Sequence, residues 1–155
     1  MSKVPFPRWH LVALVGVWAG MHAADAVAIL TVSQPWARVA ADQRSAEIYM
    51  EIRSSEDATL VGASTFAAAK TSIRLPGKRA NPLPGIALAA NAVVQLAPAG
   101  FRIALAGLTK SLKLGDQIPI SLTIMSANGN MQDVLVTAEV RRHSATEDEL
   151  HTHNR

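Results

Sequence analysis

From residue 29 onward the chain is organised by alternation of apolar and polar positions, the period of a half-buried β-strand, with no helical period of convincing length. Residues 47–53 (EIYMEIR) set Ile48, Met50 and Ile52 on one face and Glu47, Tyr49, Glu51 and Arg53 on the other. Residues 117–125 bring Ile118, Ile120, Leu122 and Ile124 to one side, and residues 134–140 do the same with Val134, Val136, Ala138 and Val140. Shorter runs of strand character lie at 29–32, 60–64, 72–75, 92–96 and 101–105. Turn-forming residues separate them, among them Pro76-Gly77, Pro84-Gly85, Pro98-Ala99-Gly100 and Asn128-Gly129-Asn130. The last of these has hairpin character and joins the two strongest alternating runs. About eight short strands at this spacing predict a single all-β domain, a two-sheet sandwich, over residues 29–140. Residues 141–155 are polar, lack an apolar period and read as a loose tail.

The first 28 residues read differently. Lys3 and Arg8 give a positive start, residues 11–21 (LVALVGVWAGM) a short apolar run, and Ala24-Asp25-Ala26 and Ala26-Val27-Ala28 two overlapping small-x-small sites. That is the pattern of a secretory signal peptide cut after Ala26 or Ala28. Its apolar run is about half of what a bilayer span needs, so no membrane span is expected after cleavage. The full chain is 49% hydrophobic and 17% charged, which excludes a disordered chain. The net charge is only +3 with no basic run, so nucleic acid is not the expected partner. With no cysteine anywhere, an exported domain of this size relies on its core, without disulfides or thiolate metal sites.

Catalytic chemistry finds few candidates. There is no cysteine nucleophile and no histidine between the leader and His143, so a Ser-His-Asp arrangement would have to recruit the tail. The carboxylates, Glu47 among them, are expected at turns or on exposed strand faces, serving solubility. Pro76-Gly77-Lys78 is a turn and not a phosphate loop. Trp36 is expected as a core or rim aromatic, and Met50, Met125 and Met131 in or near the core. The protein reads as a non-enzyme. One metal-binding pattern stands out: His151 and His153 in an H-x-H arrangement, with His143 and acidic neighbours, can chelate Cu(II) or Zn(II).

Several blocks resemble the periplasmic copper chaperones of the PCuAC family. Residues 30–38 (LTVSQPWAR) are similar to that family's opening strand with its Trp-Ala-Arg, Tyr49-Met50 to its "A-Y-M" strand, and residues 60–64 (LVGAS) to its next strand. Residues 98–108 (PAGFRIALAGL) and 112–116 (LKLGD) resemble two further blocks in the same order. The likeness runs from about Ile29 to Val140 and implies a single cupredoxin-like, immunoglobulin-like Greek-key β-sandwich. It also implies a Cu(I) site of two histidines and two methionines, because imidazole and thioether suit Cu(I). Here the first His-x-Met falls on Arg74 and Pro76, the hairpin Met near Ala80, and the second His-x-Met on Arg102 and Ala104. An alanine offers no donor and a guanidinium cannot be deprotonated to bind a cation.

Two functions follow from the resemblance. One is a copper-chaperone-like protein connected with copper delivery to a periplasmic copper protein or a cytochrome oxidase assembly factor. In that reading copper, the sole cofactor implied, is held by the tail or bound with poor affinity. The other is a metal-independent module in which Arg74, Lys78, Arg79 and Arg102 form a basic patch for an anion or an acidic partner. Export is tested by sequencing the N-terminus of the mature protein, which is expected to begin at Val27 or Ile29.

Overall fold

The computed structural model describes residues 28–75 and 82–142. Among the described residues nine strands form one continuous sheet: β1 (Leu30–Val39), β2 (Ser45–Ser54), β3 (Ala58–Ser64), β4 (Ala68–Arg74), β5 (Ile86–Leu88), β6 (Val93–Leu96), β7 (Arg102–Leu108), β8 (Gln117–Ser126) and β9 (Met131–Val140). Their order is β4-β7-β2-β1-β9-β8-β3-β5, and β6 pairs with β2 beyond the end of β7. The sheet curls over itself into a sandwich, so the two layers are halves of one hydrogen-bonded ribbon. They meet along the parallel β1–β9 pair, where Trp36 aligns with Glu139 and Ala37 with Val140. The opposite margins approach where the Thr71 hydroxyl of β4 donates to the Ala63 carbonyl of β3.

The core is the inward half of the alternating pattern. Ile48, Met50 and Ile52 of β2 and Ile118, Ile120, Leu122 and Ile124 of β8 are buried, which is what drives the two layers together. Hairpin β8–β9 is in register from Gln117↔Glu139 to Met125↔Met131, closed by Gly129 at φ 86°. That left-handed conformation is one glycine adopts without steric cost.

β1 is longer than its hydrophobic pattern suggests because it carries a β-bulge. Register shifts between Ser33 and Trp36, with Gln34 at φ 49° followed by Pro35, which has no N–H to donate. The extra residue reverses the facing of the strand. Leu30 and Val32 point to the core before the bulge, and Ala37 and Val39 after it. Trp36 and Arg38 are thereby turned to the outer face.

β5 escaped the pattern because three residues after Pro84-Gly85 cannot show alternation. Gly85 is required there: a Cβ would lie 2.8 Å from the Thr59 side chain and 3.0 Å from the Leu60 carbonyl. Met50 packs in the core, whereas Met125 and Met131 do not. Both occupy outward positions of hairpin β8–β9 and are exposed, which corrects the expectation of a place in or near the core. No helix among the described residues is long and apolar enough to cross a membrane. The expected leader, up to residue 27, lies outside the described residues.

The two faces of β8–β9 predict opposite mutational costs. Leu122→Ala, in the core, is expected to lower unfolding free energy in urea by about 2–5 kcal/mol. Leu135→Ala, at a position 75% exposed, should change it by no more than about 0.5 kcal/mol.

Candidate functional site

The outer face of the β4-β7-β2-β1 half carries a small polar assembly. The bulge in β1 delivers Trp36 and Arg38 to this face, beside Tyr49 and Glu47, their register partners on β2. The Trp36 and Tyr49 rings lie 4.6 Å apart between centroids, tilted by 39°, and both residues are buried. The Arg38 guanidinium carbon stands 5.6 Å from the centroid of the Tyr49 ring, a cation–π contact.

Glu47 ties three strands together. Its Oε2 accepts from Arg38 Nη2 at 3.1 Å and from the Tyr49 hydroxyl, while Arg38 Nη2 also donates to the Tyr49 oxygen at 3.0 Å. Its Oε1 lies 2.9 Å from Nε of Arg102, on β7. That last contact is an ion pair by distance, but the N–H is not aimed at the oxygen well enough to make a hydrogen bond, leaving a buried Nε without one. The Arg102 side chain is only 15% exposed.

Arg74 and Arg102 are direct cross-strand partners at the end of the β4–β7 pair. Arg102 precedes Ile103, which pairs with Ile48, so both arginines stand level with Tyr49 in the middle of β2. Arg74 Nε donates to Ser72 Oγ at 3.0 Å. Arg38, Glu47, Arg74, Arg102 and Ala104 all line one cleft of about 480 Å³. Two guanidinium groups, of Arg38 and Arg102, therefore contact the Glu47 carboxylate, and that of Arg74 lines the same cleft. A second cleft of about 560 Å³ shares the Arg38–Val39 wall and is bordered by Lys113, Arg141 and Arg142, with Arg141 Nη2 2.7 Å from Glu139 Oε2.

Electrostatics follow from this arrangement. Burial alone would push the Glu47 carboxyl up, but hydrogen bonds from Tyr49 and Arg38 and the charges of Arg102 and Arg38 outweigh it, and its pKa falls below the ordinary carboxylate value. For Tyr49, burial and the adjacent Glu47 carboxylate push the phenol well above its usual value, so it remains a proton donor.

Of the residues singled out from the sequence, Arg74, Arg102 and Ala104 come together at this cleft. Pro76, Lys78, Arg79 and Ala80 lie outside the described residues, as do His143, His151 and His153. Glu47 was expected to be a surface carboxylate serving solubility; it is instead the anchor of the cleft, with its side chain 33% exposed. The signal for it was present in weak form, since Glu47 and Tyr49 share the outer face of the alternating run 47–53.

Residues 30–140 match the family of LpqE-like lipoproteins. The chain belongs to that family. No protein of curated function matches it. Among solved structures it is similar to the apo PCuAC domain from PmoF1, with 23% identity over 72% of this chain and 92% of that one and a TM-score of 0.62. It is similar to the copper-bound PCuAC domain from PmoF2, with 18% identity over 72% and 92% and a TM-score of 0.59. The Cu(I) form of DR1885 from Deinococcus radiodurans shares 25% identity over 81% and 84%, with a TM-score of 0.52. The fold of this LpqE-like protein is thus the cupredoxin-like sandwich of PCuAC domains, as the sequence blocks implied.

The described residues that line the cleft offer no donor set for copper. Guanidinium groups and alanine supply no imidazole or thioether, and both Glu47 oxygens are engaged by arginines. Among the described residues no group of three or more histidine, cysteine, aspartate or glutamate side chains is placed to hold a metal ion.

The Glu47 assembly predicts a pH dependence of known sign. A carboxyl whose pKa is depressed by folding stabilises the fold above its unfolded value, and that stabilisation is lost as pH falls through the folded value. Glu47→Gln is expected to cost about 1–3 kcal/mol at neutral pH. The gap between wild type and variant should hold down to about pH 5 and close below about pH 4, the unfolded carboxylate range. Urea midpoints at pH 7, 5 and 3 test this, and a gap unchanged at pH 3 contradicts it.

Proposed function

We propose that this is an exported, periplasmic protein of the copper-chaperone fold whose β-sandwich does not carry copper. The observation behind this reading is the pairing of Arg74 with Arg102 across β4 and β7. On the resemblance to PCuAC proteins these two positions are those of the ligand histidines, and Ala104, on the same cleft, is that of a ligand methionine. The spacing of the family site is kept while its donors are replaced by groups that repel a cation.

In this reading copper handling passes to the C-terminal tail. His143, His151 and His153 offer imidazoles, and Glu147, Asp148 and Glu149 offer carboxylates, a donor set suited to Cu(II). The partner is a periplasmic copper protein or a cytochrome oxidase assembly factor, and the protein is a carrier and not an enzyme. Signal cleavage after Ala26 suits the fold better than cleavage after Ala28. Ala28 is buried, and its carbonyl accepts from Gln132 Nε2 at 2.8 Å.

A second reading draws on the excess of positive charge at the cleft. Three arginines against one carboxylate favour a metal-independent module that takes an anion or an acidic partner on its basic rim.

Copper titration of the mature protein against a competing chelator separates the two. With Cu(I) and Cu(II) in turn, the first reading expects binding that weakens at least tenfold when His143, His151 and His153 are all replaced by alanine. Undiminished Cu(I) binding in that variant would refute the loss of the body site. No binding by the wild type would remove the copper role and leave the anion module.

A further inference from the structure

The connections β1–β2, β3–β4 and β7–β8 meet at one end of the sandwich, tied by backbone hydrogen bonds. Leu108 donates its N–H to the Arg44 carbonyl at 3.0 Å, Thr109 to the Ala67 carbonyl at 2.9 Å, and Leu112 to Gln43 Oε1 at 3.2 Å. From this end projects Phe66, 98% exposed, at the tip of the β3–β4 turn. Leu114, in the β7–β8 connection, is a second apolar tip, 56% exposed. Arg44, Lys110 and Lys113, on the same connections, are exposed. Asp42 and Asp116, the carboxylates of these connections, accept the backbone N–H groups of Arg44 and Lys113 at 3.0 and 2.9 Å.

The turn that carries Phe66 is braced from both sides. The Thr65 hydroxyl donates to the Pro119 carbonyl of β8 at 2.6 Å and accepts the Ala67 N–H at 3.2 Å. The Thr109 hydroxyl donates to the Ala67 carbonyl, also at 3.2 Å. A turn tip is ordinarily polar, yet this one holds a phenyl ring in water on a backbone that is already fixed. Little ordering therefore remains to be done when the ring is buried against a partner. The ring is convex. A folded partner would have to offer a socket for it, whereas a lipid surface takes a projecting apolar tip at any point. Lysine and arginine around an apolar tip are the companions that headgroup phosphates attract.

We propose that this end of the sandwich docks on the surface of an anionic lipid bilayer, with the Phe66 ring seated below the headgroups and Arg44, Lys110 and Lys113 over their phosphates. The protein lies on the membrane and does not span it. One ring and a few cations give weak, reversible attachment, suited to a carrier that must leave again. The docking uses neither the C-terminal tail nor the Glu47 cleft, so it stands apart from both readings of function. It leaves the outer face of the β4-β7-β2-β1 half open to the side while the loop end is covered.

Co-sedimentation of the full mature protein with vesicles tests this, using phosphatidylcholine alone and phosphatidylcholine mixed in equal parts with phosphatidylglycerol. Binding to the mixed vesicles at low ionic strength is expected, weaker on phosphatidylcholine alone and weakened by added salt. Phe66→Ser should lower the partition coefficient at least about fivefold with an unchanged urea midpoint, since the ring packs on nothing in the fold. Lys110→Gln combined with Lys113→Gln should lower it about tenfold on mixed vesicles. Met131→Ser removes a 59% exposed apolar side chain beside the β8–β9 turn, at the opposite end, and should leave it within about twofold. In Phe66→Trp the added indole emission should shift to the blue on vesicles and be quenched by brominated acyl chains. Absence of binding at low salt, equal affinity for the two vesicle types, or equal losses in Phe66→Ser and Met131→Ser would each overturn the proposal. Binding with no change in the Phe66→Trp emission would overturn it as well, as adsorption by charge alone.

Discussion

The β-bulge at Gln34-Pro35 is the constraint on which much else depends. β1 is the strand that joins the two halves of the curled sheet, antiparallel to β2 on one side and parallel to β9 on the other. In an unbroken strand, Leu30, Val32 and Trp36 would share a face, and the large indole would compete with Ile48 and Ile52 for space in the core. One extra residue reverses the parity. The small Ala37 then faces inward at the point where β9 docks, and the Arg141 N–H donates to its carbonyl at 2.9 Å. The same reversal turns Trp36 and Arg38 outward, onto Tyr49 and Glu47. A single irregularity in the backbone thus sets both the closure of the sandwich and the composition of its outer cleft.

That cleft behaves as a second, polar packing unit laid over the sheet. Tyr49 is buried although it belongs to the outward set of β2, because Trp36 stacks on its ring and Arg38 crosses its face. Its hydroxyl is satisfied by Glu47, as burial of a phenol demands. Glu47 in turn links β1, β2 and β7 through side chains that are far apart in sequence. Charges this close to the protein surface are worth less than their short distances suggest, so the network serves to hold geometry more than to supply stability. Three arginines and one glutamate thus line a single cleft on the outer face of the sheet.

Membership of the LpqE-like family and the fold of PCuAC domains leave the chemistry of this protein's own cleft to be read from its side chains. The β-sandwich is specified by inward-facing residues spread along its strands, whereas the charged residues of the cleft stand on its outer face. Arg74 and Arg102, at facing positions of β4 and β7, line the cleft with guanidinium groups, which have no lone pair to offer a cation. The scaffold that presents residues from β4 and β7 to one cleft remains the same.

What the sequence determined by itself was the alternation, and through it the class of fold. Residues 47–53, 117–125 and 134–140 place their apolar side chains every second position, and burial of those side chains follows directly from the two-residue period of a strand. The hairpin at Asn128-Gly129-Asn130 was equally legible, since its turn chemistry is local. The three-residue β5 was not, because so short a segment carries no period, and β4 begins four residues earlier than its pattern because a run of alanines marks neither face. The nearness of Arg74 and Arg102 followed from the resemblance to known sandwiches and from nothing in their own neighbourhood. Glu47 was beyond reach of sequence reasoning: its role depends on Arg38 arriving through a bulge and on Arg102 arriving from a strand more than fifty residues away. Only tertiary structure decides such contacts, because strand register and the parity of a bulged strand are settled by packing between segments, and no segment carries that information alone.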